Sequence, residues 1–293
     1  MTPPAPAAAW AVCLCLVAPL GYGLAEQAVA AARGASAADP QIANQIGTFL
    51  TGEHRPNRPR GVMLGISGGW CAFEGADDGP PAVLPVAAIG QGLHELYPYL
   101  GDIVAGRPDF ILIQSTALVT ASAPPSPYRV ARRRLRERFL SPLLRRRAAF
   151  KEGVVAGAGH DICARLAQPH DRWDREVSTD IAWISQDLGD SSRERLRQEL
   201  ARLIDSGIPI LVFAQPRNRH SAAYHRLLDD RVDALLRPLG DRRRALTMLR
   251  YPEIEPDESF YEPLHLAPAG AAAFRRRLFA DIDRVLDGGA GGR

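Results

Sequence analysis

The sequence predicts an α/β domain built on a doubly wound parallel sheet, and three observations carry that prediction. Apolar runs of strand length recur without alternating polar positions, as strands covered on both faces do. Stretches with helical spacing lie between those runs. The first run closes on Gly65-Ile66-Ser67-Gly68-Gly69, a glycine-rich turn of the kind that leads from a strand into a helix.

Taken in order, the strand candidates are 61–66, 83–89, 109–114, 208–214 and 245–249. The second is interrupted by Pro85, which removes a ladder donor. Helical spacing predicts helices over 93–104, 191–205, 222–236 and 268–286. The second of these opens with Ser191-Ser192-Arg193-Glu194, where a serine followed three residues later by glutamate is a cap candidate. The last begins with Pro268 near its first turn and stops before Gly288-Gly289. An earlier stretch, 41–50, shows helical spacing through Ile42, Ile46 and Leu50. In sheets of this class, sites gather at the carboxyl ends of strands. Ser67 and Gln114 both fall there.

Composition sets limits on function. The chain has 293 residues, 46% of them hydrophobic and 24% charged, which describes a globular protein and not a disordered one. A net charge of +3 supplies no global field for nucleic acid. The basic residues are almost all arginine, Lys151 being the only lysine. Nine of them lie between Tyr128 and Lys151, interleaved with Leu135, Phe139, Leu140, Leu143 and Leu144. This basic amphipathic segment reads either as a solvated helical face or as a contact for anionic lipid or an acidic polymer.

Residues 2–25 carry no charged side chain, and 7–24 is long enough to cross a bilayer as a helix. Trp10 and Tyr22 stand near its ends, where amphipathic rings favour the interface. Two readings are open: a signal peptide cleaved near Ala28-Val29-Ala30, giving a secreted protein, or an uncleaved anchor, which the length of the run favours. The division that follows is an anchor or signal segment at 1–30, a stalk and linker at 31–60, a catalytic-type domain at 61–287 with the basic insertion at 128–151, and a loose tail at 288–293. Cys13 and Cys15 lie within the apolar run. Cys71 and Cys163 form a disulfide if the domain is exported, or stay as two buried thiols.

The residues that carry chemistry lie far apart in the chain. Ser67 follows the first strand. Near the other end, Phe260-Tyr261-Glu262-Pro263-Leu264-His265-Leu266 places a carboxylate three positions before an imidazole, with Gly270 just beyond. Such a spacing brings acid and base to one face of a turn. A hydroxyl early, with acid and histidine late, is an order that supports nucleophilic acyl transfer. Asp257, eight residues before His265, is an alternative acid. His220 and His225 are five apart, not the four that share a helix face, and no phosphate-cradling or dinucleotide string occurs. The expectation is therefore no metal and no cofactor.

The strand-Gly-x-Ser start and the Phe-x-acid-x-x-His-Leu-x-x-x-Gly ending resemble the SGNH-hydrolase (GDSL-like) superfamily over residues 61–287. That resemblance implies a three-layer α/β/α fold around a parallel sheet of about five strands. It also implies Ser67 as nucleophile, His265 as base and Glu262 as acid. Gly90 or Gly92 falls where the family keeps an oxyanion glycine, next to the Ser67 amide. Gln114, Ser115 and Thr116 fall where it keeps an Asn, which is absent here, and the family's usual Asp before the serine is Ile66. With the N-terminal segment, the chain resembles membrane-anchored bacterial members that add or remove O-acetyl groups on cell-surface polysaccharides. An extracytoplasmic esterase or O-acyltransferase is one implication. A catalytically silent binding or assembly module of an envelope machinery is the other.

Overall fold

The computed structural model describes residues 46, 59–73, 81–87, 92–120, 163 and 169–290. Each of the five apolar runs contains a strand: β1 Arg60–Gly65, β2 Ala82–Ala87, β3 Phe110–Gln114, β4 Ile210–Phe213 and β5 Leu246–Leu249. They form one parallel sheet in the order β2-β1-β3-β4-β5. Pro85 sits in β2 opposite Met63. That strand is at the sheet edge with one neighbour, so the missing N–H leaves no ladder bond unmade.

Successive residues of a strand point to opposite faces, and here both faces are apolar. Val62, Leu64, Ile111, Ile113, Ile210 and Val212 enter one core. Met63, Phe110, Leu112, Leu211 and Phe213 enter the other. This double burial is why the strands read as unbroken hydrophobic runs. The first core is closed by helices α2 (Leu100–Ala105), α3 (Ser115–Val119), α5 (Asp190–Asp205) and α6 (Ala222–Leu236). Ile46 is buried in this core too. The second core is closed by α1 (Ser67–Phe73) and α7 (Pro268–Ala290). Phe213 packs there between Phe73 and Phe274, ring centroids 6.1 and 6.0 Å away. Each such side chain stabilises by roughly 1.5–3 kcal/mol when fully buried.

Several elements differ from the sequence reading. Residues 93–104, expected as one helix, form a 3-10 helix (Leu93–Tyr99) followed by α2, and α5 starts without a side-chain cap, Ser191 lying inside the helix. Helix α4 (Trp173–Ile184) was not anticipated, because only Trp173, Val177 and Ile184 are buried along its twelve residues. Two short strands, β6 (Phe260–Glu262) and β7 (His265–Leu266), form an antiparallel hairpin before α7. And α7 continues through Gly288 and Gly289 to Ala290, so the tail predicted at 288–293 is helical for its first three residues. Glycine weakens a helix by about 1 kcal/mol per position but does not forbid it.

Of the two readings for the cysteines, the structure shows the disulfide: Cys71 and Cys163 are bonded, their Cα atoms 5.8 Å apart. The predicted anchor at 1–30, nearly all of the 31–60 linker, the arginine-rich segment at 128–151 and Gly90 lie outside the described residues. Among the described residues, no helix is long and apolar enough to cross a membrane.

Candidate active site

A sheet ordered 2-1-3-4-5 has its topological switch point between β1 and β3, at their carboxyl ends. Ile66 leaves β1 there and Ser67 opens α1. The turn is held by two buried glutamines. Gln114, the last residue of β3, accepts through Oε1 from the N–H groups of Ile66 at 2.9 Å and Gly69 at 3.0 Å. Gln215, two residues beyond β4, donates through Nε2 to the carbonyl of Gly68 at 2.6 Å. Trp70 N–H closes the first helical turn onto Ile66 O at 3.0 Å. The N–H groups left at the helix start are those of Ser67 and Gly68, which have no acceptor within the helix.

Buried side chains also explain the glycines. A Cβ at Gly68 would lie 2.7 Å from Gln215 Oε1, one at Gly69 2.7 Å from Gln114 Oε1, and one at Gly65 2.7 Å from Met63 Sδ. The turn needs glycine because side chains press on it from β1, β3 and the loop after β4, not because of its backbone angles. Positive φ among the described glycines occurs elsewhere, at Gly189, Gly207 and Gly240.

Across the cleft, Glu262 and His265 are register partners in the β6–β7 hairpin, joined by the two-residue turn Pro263-Leu264. Directly opposed residues in a hairpin share a face, so the spacing of three works through a cross-strand pair. His265 Nδ1 is hydrogen-bonded to Glu262 Oε1. Its other nitrogen, Nε2, lies 3.0 Å from Ser67 Oγ, 198 residues away in the chain. Glu262 is only 7% exposed, so the imidazole faces a carboxylate largely removed from water. The hairpin is tied at its base, where Ala267 N–H donates to Ser259 O at 2.9 Å. A side chain at Gly270 would collide with that same carbonyl, so glycine lets α7 start flush against the hairpin. Asn218, fully buried, donates through Nδ2 to Pro263 O at 3.0 Å and holds the hairpin turn from the loop after β4.

The chain matches no family model, no curated protein and no solved structure. What the site can do therefore rests on these side chains. With Nδ1–H donated to Glu262, Nε2 is the basic nitrogen and faces the Ser67 hydroxyl. Ser67, His265 and Glu262 form one relay within hydrogen-bonding reach, the arrangement that activates a serine nucleophile.

The other candidates divide between the serine turn and places outside it. Asp257 is in an ion pair with Arg219 at 2.8 Å and lies 3.6 Å from His220 Nε2, while the Nδ1 position on His265 is taken by Glu262. Gln114 gives its Oε1 to the serine turn, which leaves its Nε2, beside Gly68, as the group able to donate to an oxyanion. Thr116 is hydrogen-bonded to the Tyr224 phenol. The Ser115 hydroxyl is buried and makes no hydrogen bond among the described residues. Gly92 backs onto the chain, a Cβ there falling 2.5 Å from Thr120 O. His220 bonds Asp174 at 2.8 Å, and no cluster able to hold a metal occurs among the described residues.

Sequence reasoning missed Gln215, Asn218 and Asp180. Asp180 lies on the inward stripe of α4 with Val177 and Ile184, where a helix pattern expects an apolar residue. Burial, and then the charge of Glu262, push its carboxyl up to about 7. That misplaced acid was the available signal. For the two amides there was none.

Proposed function

We propose that the domain is a serine esterase or O-acyltransferase of SGNH-hydrolase type, tethered by its N-terminal segment and acting on O-acetyl groups of a cell-surface polysaccharide. The observation that supports this most is the relay from Ser67 through His265 to Glu262. The Ser67 hydroxyl gives its proton to His265 Nε2 as Oγ bonds to the ester carbonyl carbon. Glu262 keeps the tautomer and steadies the imidazolium. Negative charge on the former carbonyl oxygen is met by the Ser67 N–H, with Gly92 or Gly90 N–H as second donor. When the intermediate collapses, the C–O bond to the leaving alcohol breaks and His265 returns the proton to that oxygen. Water or a sugar hydroxyl then takes the acyl group by the same steps in reverse. The Cys71–Cys163 bond supports an oxidising, extracytoplasmic setting.

The test is turnover of a small acetyl ester by the full chain in detergent. Wild type hydrolyses it, and Ser67→Ala and His265→Ala lose at least about a thousandfold. A folded wild type without turnover removes the esterase reading. One observation favours a second reading, a silent binding module of an envelope assembly: the Asn that the family keeps as an oxyanion donor is absent, residues 114–116 being Gln-Ser-Thr. Saturable polysaccharide binding that survives Ser67→Ala, with no turnover in wild type, is its signature.

A further inference from the structure

We propose that the loop after β4, residues 214–221, is the spacer that sets the Ser67–His265 contact, with Gln215 and Asn218 as its two positioning residues. The reacting groups sit on separate turns, 198 residues apart in sequence. One loop reaches both. Gln215 Nε2 donates to the carbonyl of Gly68, the residue after the serine, at 2.6 Å. Asn218 Nδ2 donates to the carbonyl of Pro263, between acid and histidine, at 3.0 Å. These donors stand three residues apart on one short segment.

The segment itself is fixed. Asn218 Oδ1 accepts from Ser221 N–H at 2.9 Å, and Asn218 N–H donates to Ser221 Oγ at 3.1 Å. Both residues are fully buried. At its start, Ala214 N–H donates to Leu249 O at 3.1 Å, continuing the ladder to β5. Both recipients are carbonyls, so each needs a donor. An amide supplies one without the cost of burying a charge. Loss of either bond lets one turn drift relative to the other, and a displacement near 1 Å at a reacting pair costs about a hundredfold in rate.

The effect on rate rests on the esterase reading; the geometry does not, and the experiment separates them. Full-length wild type, Gln215→Met, Asn218→Asp and the double variant are compared in acetyl-ester turnover. In parallel, the His265 ring nitrogens are followed by 15N NMR, with Ser67→Ala as the reference for a lost Ser–His contact. The expected result is a kcat loss of about ten- to a hundredfold in each single variant, with KM changed by less than about threefold. The double variant is expected to fall no further than the worse single one, because one lost tie already frees the pair. The His265 Nε2 resonance is expected to move toward its position in Ser67→Ala. If wild type turns nothing over but the resonance moves as described, the esterase reading falls and the spacer stands. If the resonance stays at its wild-type position in Gln215→Met, or kcat stays within twofold of an active wild type, the spacer is refuted. Should Asn218→Asp fail to fold, Gln215→Met alone carries the decision.

Discussion

Two titratable groups outside the relay, buried His225 and half-buried Asp180, make a quantitative prediction about stability. Burial, helped by Arg217, pulls the His225 imidazole from 6.5 down to about 3. As pH falls through that window, the unfolded chain takes up a proton that the folded chain refuses, so stability falls. Asp180 acts in the other direction. Burial first, then Glu262 and Glu176 against the opposing charge of His265, raise it from 3.8 to about 7. As pH rises through that window, the unfolded chain releases a proton that the folded chain keeps, and stability falls again. Each slope is at most about 1.4 kcal/mol per pH unit, so each window carries a ceiling on the order of 4 kcal/mol. Between about pH 4 and 6.5 the two slopes oppose and largely cancel. Single substitutions unmask them. Relative to wild type, Asp180→Asn gains stability steadily from about pH 4 to 7 and keeps the gain above. His225→Leu gains steadily as pH drops below about 6.5. Urea unfolding at half-unit pH steps gives the difference profiles, in which the background of other carboxylates cancels. Difference profiles flat in pH for both variants would refute the reasoning.

Further outcomes follow from particular contacts. Glu262→Gln should fold, by far-UV circular dichroism, and lose about a hundred- to ten-thousandfold in ester turnover, because His265 loses the partner that fixes its tautomer. Cys71→Ser opens a bond between residues 92 apart and should lower unfolding free energy by up to about 4–5 kcal/mol. Thiol alkylation of the oxidised protein, followed by mass analysis, should find Cys71 and Cys163 unmodified. Gly68→Ala sets a methyl against Gln215 and should destabilise by about 1–3 kcal/mol. Gly101→Ala, which meets nothing within 4 Å in helix α2, should instead gain up to about 1 kcal/mol. Thermal unfolding of the pair reads both.

Much of the sheet was legible because its strands are buried on both faces. All five apolar runs contain a strand, and the interruption at Pro85 marks an edge. The outer layers were less so. Helix α4 buries Trp173, Val177 and Ile184 among charged neighbours, too sparse a stripe to stand out. At the site, the pairing of Glu262 with His265 was legible as a spacing, but its cause was not. A spacing of three fits a helical turn and a two-residue hairpin equally, and only cross-strand register tells them apart. The roles of Gln114, Gln215 and Asn218 were illegible for another reason. Their partners are backbone groups 45 to 147 residues away, and a backbone carbonyl leaves no mark in the sequence. The glycines at 65, 68 and 69 were read as the needs of a tight turn. They instead make room for the buried side chains pressing on it.

The central claim is that Ser67 is a nucleophile activated by His265. Its most direct measurement is peptide mass mapping after a fluorophosphonate is reacted with the native full-length chain. A single adduct on the peptide bearing Ser67, formed far more slowly in His265→Ala, is the predicted result. A folded wild type that carries no adduct, or carries it on another residue, contradicts the account.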